Sequence, residues 1–122
     1  MQDKEKIIIN YHIQDDPLSE ENLDKTLNYL HEFRLLLPNK TILLYSGYEY
    51  EFIFRGSPSF LSKKGFNNYK RRKIIEVVDV FADGRYIDSQ RDVSLRWKGS
   101  KNQHVIDVKK SLEQNKMVLY CD

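Results

Sequence analysis

The chain is short of cysteine, since Cys121 is the only one among its 122 residues. One thiol cannot form a disulfide within the chain, and it cannot hold an iron–sulfur cluster, which usually takes three or four thiolates. Long apolar runs are also lacking, and nothing approaches the ~18 consecutive apolar residues that a membrane span requires. The polar first residues, 1–6, contain no apolar signal segment, so we expect a cytoplasmic protein with no membrane partner.

The sequence also lacks the short motifs of well-known catalytic sites. The histidines, His12, His31 and His104, stand far apart and at no metal-site spacing. We find no phosphate-binding loop, no dinucleotide fingerprint, no His-Glu-x-x-His and no Gly-x-Ser-x-Gly. The residues alone therefore indicate no catalytic constellation.

Excess charge of one sign is lacking too, because the net charge is only +2. Such a value does not indicate a nucleic-acid partner unless the cations cluster. One basic cluster lies within residues 63–73, and two interpretations stay open: the exposed face of a surface helix, or a footprint for RNA, DNA or an acidic protein. Its cations are Lys63, Lys64, Lys70, Arg71, Arg72 and Lys73.

What is present is an ordinary globular composition, with 40% hydrophobic and 31% charged residues in a length that fits one domain. β-branched and apolar runs predict strands at 7–13, 41–46, 74–82, 95–97 and 117–120. Helices are predicted from the N-cap residue Ser19 to Pro38, over about 107–115, and in the basic stretch. This alternation favours an α/β fold with a mostly parallel sheet.

Two segments combine residue types that suit a ligand. The Asp83-Gly84 pair follows an apolar strand, and it is either a tight turn or a ligand position at the carboxyl end of a parallel strand. The segment 96–103 mixes basic, aromatic and amide residues, and it is either a loop that holds phosphate or a base, or a solvated loop anchored by Trp97.

Taken in order, several segments resemble one family. Residues 79–86 and 90–103 are similar to a signature of the anaerobic ribonucleotide reductase activating proteins, which are radical S-adenosylmethionine enzymes. That signature is approximately "D-V-L-V-D-G-x-F … D-x-S-L-x-x-R-G-S-x-N-Q". Residues 105–112 continue the agreement. Upstream, 44–48 resembles the family's strand ending in Thr-Gly-Tyr, and 16–18 resembles the end of its Ser-Gly-Gly-Asp-Pro-Leu motif.

The resemblance implies a truncated partial (βα) barrel, with a mostly parallel sheet of three to five strands and a single radical-SAM-like domain over residues 1–122. It also implies that Tyr48, Asp83 and Asn102 lie near the nucleoside-binding end of the sheet, as the remnant of a site.

Two departures from the family pattern bear on the chemistry. The family's Cys-x-x-x-Cys-x-x-Cys segment has no counterpart in this sequence, and Gln14, Asp15 and Asp16 follow Ile13 where the family has Ser-Gly-Gly-Asp. The side chains of Gln14 and Asp15 would occupy space that glycines leave open for the methionine moiety. We therefore expect a degenerate site with no cofactor, neither a cluster nor S-adenosylmethionine.

Two main hypotheses follow. The first is a non-catalytic interaction protein or inhibitor derived from an activase, from a phage or mobile element, whose partner or second copy covers an exposed sheet edge. A nucleoprotein partner would contact the basic stretch. The alternative is one component of a split activase that needs a separate cluster-bearing chain. A third hypothesis, nucleotide binding without chemistry, rests on the 96–103 loop.

Overall fold

The computed structural model describes residues 6–55, 60–95 and 97–121. The five strands are β1 (Lys6–Ile8), β2 (Thr41–Tyr45), β3 (Val80–Asp83), β4 (His104–Asp107) and β5 (Leu119–Cys121). The four α-helices are α1 (Leu23–Leu36), α2 (Tyr50–Ile53), α3 (Lys63–Val77) and α4 (Val108–Gln114). Short 3-10 turns cover Ile9–Tyr11, Glu20–Asn22 and Asp88–Gln90.

The strands form one open sheet whose spatial order equals the chain order, β1-β2-β3-β4-β5. β1 pairs with β2 and β2 with β3 in parallel, whereas β3–β4 and β4–β5 are antiparallel. The predicted α/β class is confirmed, and the sheet does not close into a barrel. The sheet is therefore mixed, with two parallel and two antiparallel pairings. The connection from β3 to β4 is long enough for a parallel crossover, but its described residues contain no α-helix and fold back on themselves through an antiparallel bridge between Arg91 and Ser100.

Three predicted strands differ from the observed elements. The strand predicted over 7–13 ends at Ile8, and Ile9–Tyr11 form a 3-10 turn. Ile74 and Ile75 belong to α3, where both are fully buried, and β3 begins only at Val80. Apolar residues that end a buried helix and begin a buried strand form one continuous run, which has no distinctive period. The predicted strand at 95–97 is not formed either, because Trp97 has a φ of 64°, outside the extended region. Arg96 lies outside the described residues.

The helices pack on one face of the sheet. Ile42, Leu44 and Phe81 point from the strands into the main core, where Leu30 of α1 and Ile74 of α3 meet them. The opposite face carries a smaller cluster of buried strand residues, Leu43, Val80, Ala82 and Val105, with Trp97 packed against it. Burial of such side chains stabilises each by about 1.5–3 kcal/mol. Among the described residues, no helix has the length and apolarity to cross a bilayer.

The amino ends of the strands are fixed by one arginine. Arg34 of α1 donates to the Val77 carbonyl at 2.8 Å and the Lys40 carbonyl at 2.9 Å, and it pairs with Asp79 at 2.6 Å. Asp79 in turn accepts the backbone N–H of Ile42 at 2.8 Å. These hydrogen bonds stabilise the amino end of the sheet. The loops at the opposite edge, where the parallel strands end, are the place to look for a site.

Candidate functional site

A polar cleft lies where the three parallel strands end, with a cavity volume of about 290 Å³. Ligands of α/β folds bind at this edge of a sheet, because the loops that follow the strands meet there. The cleft is lined by Asn10, Asp16, Tyr45, Ser46, Gly47, Gly84, Arg85, Tyr86 and Gln103.

Asp16 joins the loop after β1 to the loop after β2. Its Oδ1 accepts the Leu18 backbone N–H at 2.9 Å and the Ser46 hydroxyl at 2.8 Å, and its Oδ2 accepts the Gly47 backbone N–H at 2.8 Å. The Ser46 hydroxyl oxygen accepts the Tyr48 backbone N–H at 3.0 Å. We expected Asp16 to belong to a degenerate site. In the structure it lines the cleft and accepts three hydrogen bonds that connect the two loops.

The two residues in place of the family's glycines are both exposed, and neither lines the cavity. Asp15 has a φ of 65°, in the left-handed region that glycine enters without strain. Aspartate is one of the few other residues that tolerates this region. The backbone therefore has a conformation suited to glycine at position 15, although the sequence has an aspartate there. We expected the side chains of Gln14 and Asp15 to fill the site, and the structure directs them to solvent.

Asn10 lines the cleft, although no motif in the sequence indicates this position. β1 ends at Ile8, but the Asn10 side chain continues the pairing with β2: its amide N–H donates to the Tyr45 carbonyl, and its carbonyl accepts the Tyr45 N–H, both at 2.8 Å. One side chain thus satisfies both backbone groups of Tyr45, as a neighbouring strand would.

Asp83 is buried and has a structural place beside the cleft. Its Oδ2 accepts the Tyr50 backbone N–H at 2.7 Å, and its Oδ1 lies 3.0 Å from His104 Nδ1 and 3.2 Å from the His104 backbone nitrogen. Only 1% of its surface is exposed. Asp83, for which a tight turn and a ligand position were both left open, therefore holds the start of α2 and the start of β4 against the end of β3.

The signature loops before β4 and after β3 are bonded to each other. Gln103 donates to the Gly84 carbonyl at 2.9 Å and accepts the Ser100 backbone N–H at 3.1 Å. Asn102 donates to the Arg85 carbonyl at 2.8 Å and accepts the Ser100 hydroxyl at 2.6 Å. Gly84 has a φ of 90°, which only glycine adopts readily. Asn102 thus fixes the loops, while the neighbouring Gln103 lines the cleft.

The groups that face the cleft are polar and of several kinds. Arg85 and Tyr86 are exposed, and Gly47 leaves room for them: a Cβ at Gly47 would lie 3.3 Å from Arg85 Cγ and 3.5 Å from Asp16 Oδ2. Burial raises the pKa of Tyr45. Desolvation, followed by the hydrogen bond to Asp88, raises the pKa of Tyr86. Both phenols stay protonated at neutral pH, so the cleft combines hydroxyl donors with one guanidinium and one carboxylate.

The basic stretch lies on α3, and part of it is not on the surface. Arg71 is only 6% exposed, with its Nε donating to the Leu18 carbonyl at 2.8 Å. Arg72 donates to the Ile53 carbonyl at 2.8 Å. Three of the lysines are paired within the chain: Lys63 with Glu20 at 2.6 Å, Lys70 with Asp24 at 2.9 Å and Lys73 with Glu76 at 3.7 Å. The structure therefore places Arg71 in the interior, not on the basic face where we expected it.

Tyr48 is separated from the other predicted remnant residues. It does not line the cleft, and its ring lies under the Arg71 guanidinium at 4.1 Å, on the side facing α3. Asp83 and Asn102, by contrast, both belong to the loops that border the cleft.

The comparison with protein families decides the identity. The family described as "4Fe-4S single cluster domain" matches residues 15–106, which include both signature loops and the Asp16 loop. The chain belongs to this family.

The curated proteins similar to this chain carry a more specific name. Proteins named anaerobic ribonucleoside-triphosphate reductase-activating protein match from Escherichia coli K12 (27% identity over 90 residues, 74% of this chain and 49% of the relative) and from Haemophilus influenzae Rd (28% over 88 residues, 72% and 48%). The relative from Vibrio cholerae is 27% identical over 88 residues, which are 72% of this chain and 48% of its own. The chain thus spans about half the length of these relatives. No solved structure matches significantly.

The comparisons overturn our expectation of a protein without an iron–sulfur cofactor. The family is described by its single 4Fe-4S cluster, and together with the activating-protein relatives it points to such a cluster as the cofactor. The prediction of no cofactor was wrong because it counted thiols in these 122 residues alone.

The residues present do not supply the ligands of that cluster. The described part of the chain holds no group of three or more His, Cys, Asp or Glu side chains arranged to bind a metal ion. Cys121, in β5, is the single cysteine of the sequence. One thiolate falls short of the three or four that a cluster takes.

Proposed function

We propose that this chain forms the S-adenosylmethionine side of an activating protein for an anaerobic ribonucleoside-triphosphate reductase. In this proposal the thiolates that hold the iron–sulfur cluster come from outside these 122 residues. The observation that carries the proposal is the cleft at the carboxyl ends of β1, β2 and β3, whose walls are the segments that resemble the family's motifs.

Asp16 supports the proposal by its remaining hydrogen-bonding capacity. A carboxylate accepts about four hydrogen bonds, and within residues 6–55, 60–95 and 97–121 Asp16 accepts three. One acceptor position therefore remains beside the cleft, where the ammonium group of an amino-acid ligand would bind it. The three existing bonds keep the carboxylate oriented for that contact.

Arg85 provides the opposite charge. Its stem passes over Gly47, and its guanidinium can pair with a ligand carboxylate in a bidentate manner. An amino acid's ammonium and carboxylate groups thus have one partner each in this cleft. In this proposal the residues of this chain bind and orient the ligand.

Anaerobic affinity isolation of the tagged chain from its host tests the proposal. We expect the isolated material to contain iron and sulfide together with cysteine-bearing polypeptide that is not part of these 122 residues. The Cys121→Ser variant is the matched control, and we expect it to retain the iron. Isolation of a folded chain with neither iron nor such polypeptide would contradict the proposal.

One observation favours the second candidate, a non-catalytic interaction protein or inhibitor. Within residues 6–55, 60–95 and 97–121, β1 pairs only with β2, so its outer edge has no strand beside it. Tyr11, just beyond β1, is 82% exposed. An open edge of this kind pairs readily with another chain. If this candidate is right, the iron-free chain inhibits reductase activation by the E. coli relative; if the first is right, it does not.

A further inference from the structure

A second concave site lies on the other side of the loop after β2, between that loop and α3. This α3 groove has a volume of about 420 Å³ and shares no lining residue with the cleft. Aromatic and cationic side chains line it, namely Tyr48, Phe52, Lys63, Lys64 and Arg71, together with Asn67 and the carboxylate of Glu20.

Arg71 is the unusual member of this groove. It is more than nine-tenths buried, yet its hydrogen bonding is incomplete: Nε donates to the Leu18 carbonyl, and among the described residues the two terminal nitrogens have no acceptor. The guanidinium carbon lies 4.1 Å from the centroid of the Tyr48 ring, a cation–π contact that holds the guanidinium against one wall of the groove. The atoms buried without a hydrogen-bond partner in the described part of the chain do not include these two nitrogens, so solvent reaches them in the groove and an oxyanion that enters can accept their hydrogen bonds.

The start of α3 adds positive charge to the same groove. Lys63 and Lys64 are the first two residues of the helix, whose first turn has no acidic residue. Cations are disfavoured at this end by the helix dipole, and anions are favoured there. Glu20 neutralises Lys63 at 2.6 Å, so Lys64 and Arg71 leave the groove with an excess of positive charge.

An aromatic ring completes the arrangement. Phe52 is 38% exposed, and its ring centroid lies 6.3 Å from that of Tyr48. An exposed ring beside a cationic site is a surface on which a nucleobase can stack. A volume of this size also matches a small ligand better than a polymer.

We propose that the α3 groove binds a nucleotide, with its phosphates on Lys64 and the terminal nitrogens of Arg71 and its base on Phe52. The inference is independent of the proposed function, because it rests on a separate set of residues. A long nucleic acid fits less well, since three lysines of α3 are already paired with carboxylates of the chain.

Calorimetric titration of the full chain with ATP, pyrophosphate, adenosine and a single-stranded RNA tests the proposal. We expect ATP to bind most tightly, pyrophosphate about tenfold more weakly because the stacking contact is lost, and adenosine not measurably. Failure of ATP to bind at millimolar concentration would overturn the proposal. RNA binding more tightly than ATP would overturn it in favour of a nucleic-acid surface, and equal affinity for ATP and pyrophosphate would overturn the base contact.

Matched variants locate the site. The Lys64→Gln variant should weaken ATP binding by about tenfold, because a charge-assisted hydrogen bond to phosphate is lost while the ion pair of Lys63 with Glu20 stays. The control pair, Lys109→Gln/Lys110→Gln, removes two exposed lysines at the start of α4 and should change affinity less than twofold. Arg71→Lys keeps the positive charge but removes the planar guanidinium that can donate two parallel hydrogen bonds, so it should also weaken ATP binding. Circular dichroism confirms folding of each variant, and equal weakening by the control pair would contradict the assignment.

Discussion

The backbone N–H of Tyr50 donates a hydrogen bond of 2.7 Å to Oδ2 of Asp83. This bond fixes the start of α2 to the end of β3, and the other oxygen of Asp83 holds His104 at the start of β4. A residue that the family resemblance places near a ligand is thus buried, with both carboxylate oxygens bonded to the chain itself. The cleft is shaped by Asp83 rather than lined by it.

Asp83→Ala should destabilise the protein by about 2–4 kcal/mol, because buried N–H groups lose a charged acceptor. The measurement is urea denaturation followed by circular dichroism. Asp88→Ala is the control, since Asp88 is exposed and accepts the Tyr86 hydroxyl at 3.0 Å. A loss for Asp83→Ala as small as that for Asp88→Ala would show that the network is not formed.

Asp15→Gly should leave stability unchanged or increase it by up to about 1 kcal/mol, because glycine adopts a positive φ without steric cost. Asp15→Ala should be less stable than Asp15→Gly, since alanine has a Cβ and no polar side chain to offset the strain. Thermal unfolding of the three proteins measures this order. A glycine variant less stable than the alanine variant would be inconsistent with the left-handed backbone at this position.

Lys63→Gln should raise the pKa of Glu20 toward its ordinary value. The hydrogen bond from Lys63 is the main cause that lowers this pKa, and the positive charge adds to it. Because the pKa is depressed in the folded state, the pair's contribution to stability is present above the pKa of the unfolded chain. It is lost as the pH falls through the lower, folded value.

Carboxyl carbon NMR shifts of Glu20, followed through an acid titration, measure this effect. Lys110→Gln serves as the control and should leave the Glu20 titration unchanged. An unaltered Glu20 titration in Lys63→Gln would mean that the ion pair does not form in solution.

Much of the fold could be predicted from residue patterns. The periodic leucines of α1 and the apolar strands β2 and β3 have strong local signals, and α1 does bury Leu23 and Leu30. The boundary between α3 and β3 could not be located, because Ile74, Ile75 and the residues of β3 form one apolar run. The antiparallel direction of β4 depends on a loop whose own hydrogen bonds are not visible in sequence.

The candidate site was less predictable, because its residues act through tertiary contacts. Asn10 replaces a strand neighbour for Tyr45, and no local pattern announces that role. Arg71 was assigned to the surface by its charge, although a carbonyl at Leu18 and the Tyr48 ring hold it inside. The sequence does contain a single cysteine, but the conclusion that the protein has no iron–sulfur cofactor was wrong. The family match indicates a 4Fe-4S cluster, and no residue pattern in this chain indicates one.

Asp16→Ala should remove the connection between the loops after β1 and β2. We expect a destabilisation of about 2–3 kcal/mol, because three donors lose a charged acceptor at the cleft wall. Asp24→Ala is the matched control, since its ion pair with Lys70 is exposed and contributes little. Urea unfolding distinguishes the two, and similar losses in both variants would contradict the role given to Asp16.

An amide NMR titration of the chain with S-adenosylmethionine tests whether the cleft binds this compound. We expect saturable shifts confined to the amides that border the cleft, those of Ser46, Gly47, Gly84 and Gln103, and loss of these shifts in Asp16→Ala. Absence of any shift at millimolar S-adenosylmethionine, or shifts centred on Lys64 and Phe52 instead, would contradict it.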